Sequence, residues 1–118
     1  MEYKIEVFEI ISEINDFLES DEKNKWITNE CFHIYVRKSK RCVNKKFYDF
    51  FDIAHIEIYP NNEGIFSYFL NKIENTFMVN IYVESILTKR FKNYLIEKKK
   101  FEPYETEGYE SVYKLKYK

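Results

Sequence analysis

Residues 52–101 constrain the fold of this chain more than any other stretch, because they read in succession as strand, tight turn, helix, strand and helix. DIAHIEIY (52–59) alternates as a two-faced strand should, with Ile53, His55, Glu57 and Tyr59 on one face and Ala54, Ile56 and Ile58 on the other. Pro60-Asn61-Asn62-Glu63-Gly64 is a turn cluster, since Pro fixes φ and Gly permits φ > 0. GIFSYFLNKIEN then sets Ile65, Phe66, Phe69, Leu70 and Ile73 at helical spacing. FMVNIYV (77–83) reads as a second apolar strand and SILTKRFKNYLIEKKK (85–100) as a second amphipathic helix. Joints this short predict a right-handed β-α-β crossover between parallel neighbours. Ligands of such units sit beyond the carboxyl ends of the strands, where helix N-terminal N–H groups point outward. That directs attention to Tyr59–Ser67.

The 118 residues are enough for one domain with a real core, and the 45% hydrophobic content, 33% charged content and scarcity of Gly and Pro exclude a disordered or fibrous chain. A net charge of −1 supplies no global drive toward nucleic acid or an anionic membrane, and the basic stretches at 37–46 and 89–100 read as solvated faces. The first ten residues are acidic where a signal peptide would be basic, and no apolar run approaches membrane-spanning length. With two cysteines, Cys31 and Cys42, and no partners at metal-ligand spacing, the expectation is a cytoplasmic protein with free thiols and no membrane contact.

The flanking elements follow the same logic. Residues 3–19 carry Val7, Ile10, Ile11, Ile14, Phe17 and Leu18 on a helical stripe, and 20–25 form a polar link. Trp26 to Lys38 reads as one strand, with Cys31, His33, Tyr35 and Arg37 on one face and Phe32, Ile34 and Val36 on the core side. The polar run 38–46 holds a turn, and a strand boundary falls somewhere in 40–53. FEPYETEGYE (101–110) reads as an acidic loop, and the final SVYKLKYK as a half-exposed or edge strand. The expected order is α–β–β–β–α–β–α–β.

This order and the sequences IAHIEIYPNNEGIFSYFLNKIE and FMVNIYVESILTKRFKNYLIEKKKF resemble the GNAT superfamily of acyl-CoA-dependent N-acetyltransferases, over roughly residues 26–117. Among its members the chain most resembles the small versions encoded by bacteriophages. The resemblance implies an α+β fold: a GNAT-like mixed sheet with a central β-α-β crossover and helices on both faces. The single domain would span 1–118, with a helix and link at 1–25 and the cofactor-binding core at 52–101. It also implies acetyl-CoA wedged between splayed strands at 52–59 and 77–83, with its pyrophosphate at the start of the helix at 64–75. Four positions depart from the family pattern. Asn61 stands where Arg or Gln is usual, Phe66 where a second small residue is usual, and Lys100 precedes Phe101 where Gly is common. The Phe66 side chain either crowds the phosphates or turns into the core. Thr88 stands near a common Asn position.

Acetyl transfer to an amine needs a base, donors that polarise the thioester and an acid for the departing thiolate. The resemblance assigns the base to Glu57, with His55 second, and the acid to Tyr94. It assigns the thioester donor to a backbone amide at an exposed bulge near Ile58–Tyr59, and phosphate binding to the N–H groups of Gly64, Ile65, Phe66 and Ser67. Cys31 beside His33 is too incomplete for a nucleophilic pair, and two His without a third ligand do not make a zinc site. The expected activity is N-acetylation of a small-molecule or protein amine. The alternative is a GNAT-fold binding protein without catalysis, for example a phage factor engaging a host protein. Homodimerisation through the C-terminal strand is compatible with both.

Overall fold

The computed structural model describes residues 3–59, 63–84, 89–106 and 109–116. Its elements run α1 (Lys4–Glu19), β1 (Asn24–Thr28), β2 (Phe32–Val43), β3 (Lys46–Ile58), α2 (Glu63–Thr76), β4 (Asn80–Val83), α3 (Lys89–Lys99), β5 (Glu102–Thr106) and β6 (Tyr109–Lys114). Among the described residues the architecture is α+β, three helices with one mixed sheet of six strands in the order β1-β2-β3-β4-β6-β5. The expected crossover is present: β3 and β4 are parallel neighbours joined through α2, and every other pairing is antiparallel.

The run 26–38 is two strands, not one. Asn29 breaks it: its Oδ1 accepts the N–H groups of Cys31 (2.9 Å) and Phe32 (3.0 Å), so the side chain replaces the missing ladder partners. Its Nδ2 donates to the Glu6 carbonyl at 2.9 Å, which fixes this turn against α1. The unplaced boundary in 40–53 lies at Asn44-Lys45, a two-residue hairpin between paired Val43 and Lys46. Their φ angles, 50° and 69°, are those of a type I′ turn, whose twist matches that of the flanking strands.

Of the expected loop at 101–110, residues 102–106 and 109–110 are strand, and 107–108 lie outside the described residues. Glu102–Thr106 form β5, the true edge, and β6 lies between β4 and β5, so the C-terminal strand is interior. Pro103 suits an edge because it has no N–H to offer. Ahead of β5, Lys100 ends α3 at φ 62°, and the Phe101 N–H donates to the Leu95 carbonyl at 3.0 Å. The left-handed residue stops the helix, a conformation glycine adopts without cost. This is the physical reason a glycine suits position 100.

All three helices bury their stripes in one cluster. Ile10 and Ile14 of α1, Phe69 and Ile73 of α2 and Leu95 of α3 join Ile34, Phe51, Ile53, Val83 and Val112 from the sheet. The cluster on the opposite face, built on Val43, Phe50 and Tyr82, contains no helix residue among those described. The expectation of helices on both faces therefore fails. The reason is topological: β4 and β5 are each antiparallel to β6, so β3→β4 and β4→β5 are parallel steps taken in the same direction across the sheet. Right-handed crossovers stepping the same way place their helices on the same face.

Candidate functional site at the parting of two strands

Strands β3 and β4 share four rungs, from Phe50–Asn80 to Ile53–Val83, and a last bond from the Glu84 N–H to the Ile53 carbonyl at 3.0 Å. There they part. β3 continues to Ile58, held on its other edge by β2, and the Tyr59 N–H donates to the Cys31 carbonyl at 2.8 Å. Backbone polar groups alternate between the two edges of a strand. Because Tyr59 faces β2, the N–H and C=O groups of Ile56 and Ile58 face the side that β4 has left. Among the described residues no strand pairs with that edge. Three residues separate Tyr59 from α2, so the first turn of that helix begins within about 14 Å of Tyr59.

A β-bulge re-aims the side chains at this point. Tyr35 lies opposite His55, but Val36 lies opposite Ile53, so Ala54 is an extra residue on β3. Ile53 is fully buried in the helix-side core, whereas His55 and Glu57 stand on the outer face. The expectation that Ile53, His55, Glu57 and Tyr59 share one face is thus corrected, because one inserted residue shifts the alternation. The bulge also lies at Ala54, not near Ile58–Tyr59. Of those two amides, Tyr59's is occupied by Cys31 and Ile58's faces the parting.

On the outer face two adjacent rungs cross three strands. Trp26, Tyr35 and His55 form one; Thr28, His33 and Glu57 form the other. The Trp26 ring stacks on His33 with centroids 4.6 Å apart, and the His55 ring meets its edge at 5.7 Å. Thr28 Oγ1 and His33 Nδ1 are hydrogen-bonded at 2.9 Å. His55 Nε2 lies 3.2 Å from Glu57 Oε2, and the Tyr59 hydroxyl donates to Glu57 Oε1 at 3.3 Å. The hydrogen bond from His55 holds the Glu57 carboxyl below its usual range, with the Tyr59 hydroxyl adding to it. The structure therefore brings His55, Glu57 and Tyr59 together as a hydrogen-bonded set.

The remaining candidates sit around α2. Gly64 is exposed; Ile65 and Phe66 are buried; Ser67 is half-buried. The Phe66 ring packs on Phe91 at 4.8 Å and on Phe69 at 6.3 Å. Of the two outcomes open to Phe66, the ring turns into the core. Ile58 packs against the same core from β3. Tyr94 stacks on Phe91 at 6.4 Å, so two ring contacts connect it to the first turn of α2. Pro60, Asn61, Asn62 and Thr88 lie outside the described residues.

Sequence reasoning missed a buried charge. Asp52 has no exposed side-chain surface, and accepts hydrogen bonds from Ser39 Oγ at 2.7 Å and Arg41 Nη2 at 2.8 Å. Arg37 Nη2 stands 3.4 Å from the same carboxylate and bonds Glu84 Oε2 at 2.7 Å. The Arg41 guanidinium also lies 3.5 Å above the Tyr82 ring. The available signal was an Asp inside FFDIA together with Arg37, Ser39 and Arg41 at strand spacing, but only the hairpin register joins them.

Cys31 is buried in the turn before β2, and it joins the helix-side core instead of the His33 face. Burial, followed by the carboxylates of Glu6, Glu30 and Glu9, pushes its thiol upward and disfavours a nucleophilic thiolate. Among the described residues no His, Cys, Asp or Glu group is arranged to hold a metal, and no helix is long and apolar enough to cross a membrane. No protein-family model, curated protein or solved structure matches the chain.

Proposed function

We propose that the chain is a GNAT-like, acyl-CoA-dependent N-acetyltransferase. The parting of β3 from β4 carries this reading. An extended ligand bearing amides, such as the pantetheine arm of CoA, gains backbone hydrogen bonds by lying along the edge of Ile56 and Ile58 as an added strand does. The first turn of α2, with Gly64, Ile65, Phe66 and Ser67, stands where the pyrophosphate belongs, because helix N-termini favour anions. With the Phe66 ring in the core, the phosphate side of that turn is not crowded by it. The Ile58 N–H is the donor for the thioester carbonyl.

The lowered Glu57 carboxyl refines the roles of the pair. A general base works best with a pKa near the working pH, and a depressed carboxylate moves away from it. We assign amine deprotonation to His55 and orientation of its imidazole to Glu57. Tyr94 is the proposed acid for the thiolate. The amine acceptor approaches from the outer face, where His55 and Glu57 stand.

Calorimetric titration with acetyl-CoA, against free CoA and adenosine diphosphate, tests the proposal. Expected is micromolar binding, about −8 kcal/mol, that requires the pantetheine arm and is lost in Gly64→Trp. No heat and no thermal shift at millimolar ligand would overturn it. A second reading then takes over, a binding protein without catalysis. Tyr59 favours it, being 58% exposed at the end of the β3 edge that an extended peptide can also pair with.

A further inference from the structure

Arg37 occupies a position that neither its strand nor its charge explains by itself. It stands on β2 directly opposite Asp52 of β3, yet its shortest contact, 2.7 Å, is to Glu84, the residue after the last rung of β4. Its side chain therefore crosses β3 on the outer face, next to the bulge at Ala54. The Glu84 N–H makes the final β3–β4 bond, to the Ile53 carbonyl. One residue thus carries both the last backbone bond before the strands part and the carboxylate held by Arg37. The Asp52 carboxylate, 3.4 Å from the same Nη2, steers the guanidinium from beneath. Asp52 is itself fixed by Arg41 and Ser39. A charge-assisted bond, half-shielded from water, across the strand that both partners flank is a clasp at the last β3–β4 rung.

We propose that Arg37 is a positioning residue for the ligand-binding mouth: by holding Glu84 it fixes where β4 stops pairing with β3, and hence which backbone groups of β3 are presented. Without the clasp the Glu84–Ile53 bond frays, and the parting moves back toward Asp52 and Tyr82. The unpaired edge of β3 that leads to Ile56 and Ile58 then begins at an earlier rung. The fraying is a property of the ligand-free chain. Its consequence for acyl-CoA rests on the function proposed above.

The test uses Arg37→Met, which keeps the aliphatic stem, Glu84→Gln, which removes the other partner, and Arg37→Lys. Amide hydrogen exchange in the ligand-free protein is the first readout. Arg37→Met and Glu84→Gln should each accelerate exchange of the Glu84 N–H by about tenfold or more, while the Ile34 and Ile81 amides stay within about twofold of the parent. Arg37→Lys should restore much of the protection, and the double variant should be no worse than either single one. Unchanged Glu84 exchange would overturn the proposal, and so would equal acceleration of all three amides, which marks a purely global contribution. Should Arg37→Met fail to fold, Glu84→Gln decides by the same criterion. Acetyl-CoA titration is the second readout: the dissociation constant should rise about tenfold in Arg37→Met and recover in Arg37→Lys. If the parent chain binds no acetyl-CoA, the acetyltransferase reading fails, and the exchange result still decides the role of Arg37.

Discussion

Replacing Asp52 with Asn tests the buried charge network most directly. The carboxylate has no exposed surface and is held by Arg41 at 2.8 Å and Ser39 at 2.7 Å, with Arg37 at 3.4 Å. Removing one partner of a buried ion pair costs about 3–5 kcal/mol, because the other charge is left uncompensated. Asn keeps the shape and can still accept from Ser39, and Arg37 retains Glu84. Both effects place Asp52→Asn near the lower end, about 3 kcal/mol. That is a large share of the roughly 5–15 kcal/mol expected for a domain of this kind. At about 4 °C per kcal/mol for this length, the melting temperature should fall by about 12 °C. Urea unfolding of the parent, Asp52→Asn, Arg41→Met and the double variant reads the cost and the coupling, which should be about 2 kcal/mol. A loss below about 1 kcal/mol, with additive single effects, would refute the reasoning. It would mean that water reaches the pair and that burial of Asp52 contributes little.

Three further outcomes follow from particular residues. Lys100→Gly relieves a left-handed backbone at the stop of α3 and should stabilise the chain by about 1 kcal/mol, read as a higher urea midpoint; no gain would show that Lys100 is not strained. Lys45→Gly gives the Asn44-Lys45 hairpin the preferred Asn-Gly pair and should raise stability by a similar amount, about 0.5–1 kcal/mol, with Cys42↔Phe47 pairing unchanged by NMR. Glu57 titrates below its ordinary 4.5 because His55 donates to it, so its contribution to stability is present above that value and disappears as pH falls through the lowered folded midpoint. His55→Gln should move the carboxyl titration, followed by NMR, back toward 4.5; a midpoint that does not move would assign the shift to another group.

How much of this was legible depends on whether a signal is local. The stripe Val7-Ile10-Ile11-Ile14-Phe17 and the set Ile65-Phe66-Phe69-Leu70-Ile73 are repeated contacts of one helix face, so periodicity alone placed α1 and α2. The crossover from β3 to β4 followed from short joints, and His55 with Glu57 from their spacing of two. The strand at 26–38 was misread because a single Asn29 side chain makes the turn, and alternation averages over it. The faces of β3 were misread at Ile53 because a bulge is defined by what lies opposite on β2, which the sequence of β3 does not contain.

The amino-acid order by itself determined where apolar side chains recur, and therefore which segments must become helices or strands, how many domains the chain can support and which residues carry usable chemistry. Only tertiary structure decided that Glu102–Thr106 pairs with β6, that three helices share one face, and that Arg37 reaches Glu84 across β3. Helical contacts lie within four residues and are written in the local pattern. The burial of Asp52 and the Arg37–Glu84 contact depend on partners 11 to 47 positions away, and these are fixed by which whole arrangement buries its charges and apolar surface together.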